Sequence, residues 1–200
     1  MSVTKKSILL IFIVLLVDQL SKFYIKLNFR LGESVEVFSW FQIYFIENNG
    51  MAFGMEFIGK LFLTLFRIVA VAGLSYFLYQ LIRKQARTGF VLSVSLLLAG
   101  AAGNIFDSVF YGVIFNESYG QVATLFPDGG GYAPLFYGKV VDMLYFPIIV
   151  NSAGETVFFS PVFNIADSAI SVSAAIILLF FRKDLNEHLE SKKDKENANA

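Results

Sequence analysis

Four aspartates carry most of the chemistry this chain has to offer. Asp18 stands late in an apolar run that follows Lys5-Lys6, and Asp107 closes another such run in Gly103-Asn104-Ile105-Phe106-Asp107. Asp142 interrupts the apolar segment Val140–Phe146. Asp167 sits at the mouth of a long apolar stretch, in Pro161-Val162-Phe163-Asn164-Ile165-Ala166-Asp167-Ser168. A charge within a membrane-spanning helix costs about 2.5–3.5 kcal/mol at the helix centre, so acids in such places need a reason. Two carboxylates held close together cannot both ionise easily; one pKa rises and the pair shares a proton. The ionised member can then take a proton from water while the protonated member polarises a carbonyl and serves the leaving amine. That is the chemistry of an aspartic protease, and it needs neither a metal nor a covalent nucleophile. The absence of cysteine removes thiol nucleophiles, thiolate metal sites and disulfides. The single histidine, His188, lies in a polar C-terminal segment, which leaves no buried imidazole for a triad. No metal is therefore required, and residue types alone leave several pairings of the acids open.

The elements that must position these acids follow from composition. Hydrophobic residues make up 56% of the chain and the mean hydropathy is +0.63, above the roughly 45–50% apolar content of soluble domains. Lys+Arg and Asp+Glu balance at 16 each, so no basic excess suggests nucleic acid as a partner. Apolar runs predict four transmembrane helices at about 7–25, 60–82, 90–107 and 164–181. Lys5, Lys6, Arg83, Lys84, Arg87, Arg182 and Lys183 then fall on one side, which puts both termini in the cytoplasm. Pro161 fits just before the last helix and Asn164 can cap its first turn. Arg67 lies inside the second span, where it either snorkels or faces the bundle. Asp18 and Lys22 share a helix face as an i,i+4 pair.

Between the helices lie outer loops 26–59 and 108–163. In the first, Val35, Val37, Phe41, Ile43 and Phe45 alternate with polar residues, the period of half-buried strands. In the second, Gly129-Gly130-Gly131, Pro127 and Pro134 break the chain too often for another span. Val140–Phe146 reads there as a strand that Val157-Phe158-Phe159 could pair with. Small-xxx-small spacings at Ala99/Gly103 and Ala169/Ser173 read as helix-packing contacts. The expected fold is an all-α membrane protein with four transmembrane helices, a small extracytoplasmic β-sheet and an enlarged outer loop. It forms one catalytic domain over 1–182, with a polar cytoplasmic tail at 183–200. This topology collects Asp18, Asp107, Asp142 and Asp167 at the outer interface, level with Asn48, Asn104 and Asn164. A small channel or proton-coupled carrier is the rival class, although such proteins tend to hold their acids near the bilayer midplane.

Five motifs in order make the resemblance specific. Asp18-Gln19-Leu20-Ser21-Lys22, then Asn48, Gly50, Ala52 and Phe53, then Gly103, Asn104 and Asp107 match the pattern of lipoprotein signal peptidases (signal peptidase II). Val140-Val141-Asp142 and Phe163, Asn164, Ala166, Asp167, Ser168 complete it. The chain resembles that family of bacterial membrane aspartic proteases over residues 18 to 168. The resemblance implies a catalytic dyad of Asp142 and Asp167, with Asp18, Lys22, Asn48, Gly50, Asn104, Asp107 and Asn164 supporting it or contacting substrate. It implies diacylglyceryl-prolipoprotein substrates cut just before the lipid-modified cysteine, contact with membrane lipid of the bacterial inner membrane, no cofactor, and inhibition by globomycin. Nothing calls for more than a monomer. Two departures stand out. Ser108 occupies the position where the family usually has Arg, with Lys139 the expected substitute, and the outer loop on either side of Asp142 is longer than usual. The extra residues are expected to form a lid or rim.

Overall fold

The computed structural model describes residues 1–50, 58–150, 156–158 and 161–188. Ala52 and Phe53 of the first-loop motif, and residues 189–200 of the tail, lie outside the described residues.

Helix α1 (Val3–Asn28) starts at Ser2, whose hydroxyl accepts from the Lys5 amide at 3.3 Å. It runs past the expected 7–25 because its last turn is anchored. Asp18, Lys22, Ile25 and Lys26 are buried, while Ile8, Phe12, Leu16, Leu20 and Tyr24 are exposed. That division suits a helix with a polar inward face and a hydrocarbon-facing back. α2 (Ile58–Arg83) and α3 (Thr88–Phe106) follow, joined by a short basic link. The sequence predicts that the third helix ends at Asp107, but it continues. A π-helical turn, Asp107–Tyr111, and a last turn, α4 (Gly112–Ile114), carry the same helix onward. The wider turn keeps Asp107, Ser108 and Tyr111 all buried. Such turns are frequent at functional sites.

Among the described residues, three helices, Val3–Asn28, Gly59–Arg83 and Thr88–Ile114, are long and apolar enough to cross a membrane. There are four if α5 (Ile165–Phe180) and Arg182–His188, bent by 87°, form one span. α5 alone has 16 residues, about 24 Å at ~1.5 Å per residue, against a hydrocarbon core of about 30 Å. It packs mainly on α3. The close approach comes from glycine: a Cβ on Gly100 would meet the Ala166 carbonyl oxygen, and one on Gly103 would lie 2.7 Å from Asp18 Oδ2.

A four-stranded antiparallel sheet, ordered β1-β2-β3-β6, stands at the acid-bearing end of the helices. β1 is Ser34–Phe38, β2 Phe41–Asn48, β3 Val140–Tyr145 and β6 Val162–Phe163. The register sets Asp142 opposite Ile46 and Phe163 opposite Leu144. The sequence suggests Val157-Phe158-Phe159 as the partner of β3. Instead β5 (Thr156–Phe158) pairs with β4 (Ile149–Val150), and Val162-Phe163 takes the place next to β3. The adjacency of β6 to α5 explains this, since the strand leads straight into the Asn164 cap. β1 is exposed throughout rather than half-buried, as the edge strand of this sheet.

The long outer loop is fastened rather than loose. Lys26 Nζ donates to Glu47 Oε1 and Ser118 Oγ, both at 2.7 Å, and lies over the rings of Phe45, Phe115 and Tyr132. Lys139 reaches Glu47 at 3.1 Å and Glu117 at 3.4 Å. Bridges Arg30↔Val122 and Phe115↔Leu125 add backbone pairing. Ile25, Phe45, Tyr111, Phe115, Ala123, Val141 and Met143 form one apolar cluster beneath. The segment around 115–139 is thus a wall bound to α1 and β2.

This packing predicts two outcomes, both read as melting temperatures in a single detergent. Gly100→Ala destabilises the protein by about 1–3 kcal/mol because the Ala166 backbone cannot yield; Gly73→Ala, which meets nothing, is neutral or gains about 0.5–1 kcal/mol. Lys26→Met, at a fully buried ammonium, costs about 3–5 kcal/mol, whereas Lys139→Met, at a side chain 25% exposed, costs about 1 kcal/mol or less.

Candidate active site

The site begins with a helix cap. Asn164 precedes the first turn of α5 with extended backbone, and its Oδ1 accepts from the Asp167 amide at 2.8 Å. Asp167 Oδ2 accepts in return from the Asn164 amide at 3.4 Å. This reciprocal capping box satisfies two helix-end donors and fixes Asp167 relative to Asn164. With its oxygen engaged, the Asn164 amide nitrogen faces Asp142 Oδ1 at 2.6 Å, Asn104 Oδ1 at 3.1 Å and the Val141 carbonyl at 3.3 Å. Asn104, from α3, donates to Asp167 Oδ1 at 2.7 Å. Asp142 and Asp167 therefore lie on one hydrogen-bonded circuit with two amides between them.

Behind that circuit sits a buried cation. Lys22 Nζ lies 2.9 Å from Asp18 Oδ2 and 2.8 Å from Asp107 Oδ2, and donates to Asn104 Oδ1 at 3.0 Å. Gln19 donates to Asp18 at 3.0 Å and Asp107 at 2.9 Å, and accepts from the Tyr111 hydroxyl at 3.1 Å. Each rear carboxylate also binds a backbone amide: Asp18 Oδ1 takes Ala166 N at 2.9 Å, and Asp107 Oδ2 takes Val141 N at 3.3 Å. Those amides belong to the residues immediately before Asp167 and Asp142. The Asp18–Lys22 pair is thus more than a simple ion pair near the interface.

Asp142 lies on β3 with 1% of its surface exposed. Burial pushes its carboxyl up to about 7, helped by the charge of Asp167. Hydrogen bonds from Asn48 and Asn164 pull the other way without cancelling the shift. Asn48 also accepts from the Gly50 amide at 2.6 Å, in a turn that needs the positive φ of Gly50 (+70°).

All nine residues singled out from the sequence converge on this end of the helices. Asn48, Asn104, Asn164, Asp142 and Asp167 form the front circuit, and Asp18, Lys22 and Asp107 the rear clamp. Gly50 packs against Arg67, the residue whose orientation the sequence leaves open. A Cβ on Gly50 would lie 2.7 Å from Arg67 Nη2, and Arg67 Nη1 is 3.4 Å from Ser108 Oγ. Arg67, not Lys139, is thus the cation beside Ser108; Lys139 is held at the sheet by Glu47 and Glu117. Gln19 is a site residue that sequence reasoning misses, although its place next to Asp18 in the first motif is the available signal.

A cavity of about 360 Å³ opens between α2, α3 and α5. Arg67, Asn104 and Asp167 line its polar part, and residues such as Leu74, Leu97 and Ile170 its apolar part. A mainly apolar cleft with a few convergent polar groups is the usual form of a binding site.

Comparison with known proteins agrees over nearly the whole chain. The family described as Signal peptidase (SPase) II matches residues 10–182. The lipoprotein signal peptidase of Porphyromonas gingivalis is 49% identical over 194 residues, covering 92% of this chain and 86% of that protein. The lipoprotein signal peptidase of Amoebophilus asiaticus is 32% identical over 192 residues, covering 87% and 76%. A bacterial membrane enzyme solved by the in meso method at 1.9 Å resolution is similar in fold, with a TM-score of 0.64 at 27% identity, covering 90% of this chain and 94% of that one. With a family match over most of its length, and apolar helices long enough to span a bilayer, this chain belongs to the signal peptidase II family of membrane aspartic peptidases.

Proposed function

We propose that this protein is a membrane aspartic endopeptidase that removes the signal peptide of prolipoproteins, cutting just before the diacylglyceryl-modified cysteine. The observation that carries this reading is the placement of Asp142 and Asp167 on one amide circuit, with Asp167 and Asn104 of that circuit lining the apolar cavity. Asp142 carries the proton of the pair and Asp167 the charge. Asp167 takes a proton from a water whose oxygen attacks the scissile carbonyl carbon, while Asp142 gives its proton to the carbonyl oxygen. The tetrahedral diol then collapses. Asp167 delivers its proton to the leaving amine, Asp142 recovers one from the diol, and both carboxyls return to their starting state. No cofactor takes part. The apolar cavity holds the hydrophobic side of the substrate, and Asn104 and Asn164 keep both acids aimed at the same bond.

The membrane arrangement belongs to the same proposal. Four helices span the bacterial inner membrane, with α5 and its bent extension as the fourth. Ser2, Ile82, Gln85 and Thr88 line one cleft at the end opposite the acids, and Arg87 pairs with Asp184 there at 3.1 Å. The basic residues are gathered at that end, so both termini are cytoplasmic and the dyad works near the outer face. The protein acts as a monomer in contact with membrane lipid, and nucleic acid plays no part. Membership of a peptidase family gives the carrier alternative no support.

In a cleavage assay with a diacylglyceryl-modified precursor and detergent-solubilised protein, Asp142→Asn and Asp167→Asn each lower the rate by about 10²-fold or more. Melting temperatures stay close to that of the unaltered protein, globomycin abolishes the remaining wild-type signal, and no ion flux appears in liposomes. Substantial cleavage by either folded variant would contradict the dyad. The pH dependence has a definite sign. Because the Asp142 carboxyl keeps its proton up to about 7, raising the pH through that value removes the acid, and kcat/KM falls by about tenfold per pH unit beyond it.

A further inference from the structure

Arg67 is the one strongly basic side chain that a mostly apolar stretch of α2 places at the cavity. Its guanidinium is seated by two features of the chain. Gly50 lacks the Cβ that would collide with it, and Ser108 offers a hydroxyl at 3.4 Å. It lines the cavity together with Asn104 and Asp167. Electrostatic attraction links it to both Asp167 and Asp142, yet among the described residues no carboxylate forms an ion pair with it. Among the described residues, the other cations near the acids each have a partner. On α1, Lys22 is held by Asp18 and by Asp107 of the π-turn. Lys26 and Lys139 are held by Glu47. Lys60, on α2, donates to the Asn49 carbonyl at 3.1 Å. Among the described residues, Lys22, Lys60 and Arg67 thus balance Asp18, Asp107 and a single negative charge on the Asp142–Asp167 pair. A second charge on that pair would leave the site unbalanced at the edge of a low-dielectric bilayer.

We propose that Arg67 is a positioning residue for the reaction: without touching either acid, it holds the Asp142–Asp167 pair at one negative charge and so at one shared proton. The inference rests on the dyad reading above. The test is the pH profile of kcat/KM for wild type, Arg67→Gln and Arg67→Lys with a diacylglyceryl-modified precursor, alongside Asp142→Asn and melting temperatures. Loss of the charge disfavours ionised carboxylates, so Arg67→Gln moves the acid limb of the profile to higher pH by about one unit. On the acid side of that limb it also lowers the rate by about tenfold. Arg67→Lys keeps the charge, and its limb stays within about 0.3 unit of wild type. A profile that falls equally at all pH values in Arg67→Gln, or a lysine variant that moves as far as the glutamine one, overturns the proposal. If Arg67→Gln does not fold, Arg67→Met takes its place: a limb displaced by about one unit supports the charge role and an unmoved one refutes it. Activity in Asp142→Asn would instead refute the dyad, so the two failures are distinguishable.

Discussion

A single buried ammonium organises this protein. Lys22 is fully removed from solvent and touches two carboxylates and an amide oxygen. A lone ammonium in such a place would be strongly unfavourable, and two adjacent carboxylates without it would repel. Together with Gln19 they make a compact, fully hydrogen-bonded unit. Its reach is long in sequence, because Asp18 belongs to α1 and Asp107 to the π-turn after α3. Each of those acids also accepts from a backbone amide of another element, β3 or the first turn of α5. The clamp therefore ties strand and helix together at the residues just before Asp142 and Asp167.

The front of the site uses neutral groups for the same purpose. Asn104 and Asn164 each present an oxygen and a nitrogen, so they can link a cation, a carboxylate and each other without adding charge. A charged residue in either position would upset the balance between the rear clamp and the proposed dyad. The glycines of α3 serve this arrangement too, since Gly100 and Gly103 let α5 approach until the Asn164 cap lies level with Asn104. The outer wall fastened by Lys26 completes the frame by backing β2 and β3, the strands that carry Asn48 and Asp142.

Much of this is legible in the sequence, for identifiable reasons. An apolar run of about 20 residues matches the thickness of a bilayer, and acids interrupting such runs stand out. Asn164 and Asp167 have the three-residue spacing of a capping box, a local signal. What stays hidden depends on contacts far apart in the chain. β6 has only two residues, Val162 and Phe163, too few for any period to register. The π-turn leaves no mark in composition, so the sequence ends the third helix at Asp107. α2 is largely apolar on all sides around Arg67, which removes the amphipathic pattern that would tell its face. Lys139 is the expected substitute for the Arg that Ser108 replaces, but Glu47 holds it at the sheet. The outer loop, expected to form a lid or rim, is fastened by Lys26, whose partners Glu47 and Ser118 no short-range pattern reveals.

The proposed chemistry stands on one proton, held by Asp142 near neutral pH. Infrared difference spectroscopy of the detergent-solubilised protein, comparing wild type with Asp142→Asn across a pH titration, observes that proton through the stretch of a protonated carboxyl group. The expected result is a protonated-carboxyl band that is present in wild type below about pH 7, fades as the pH rises through that value, and is missing from the asparagine variant. A wild-type spectrum with no such band below that pH, or a band that persists unchanged in Asp142→Asn, would contradict it.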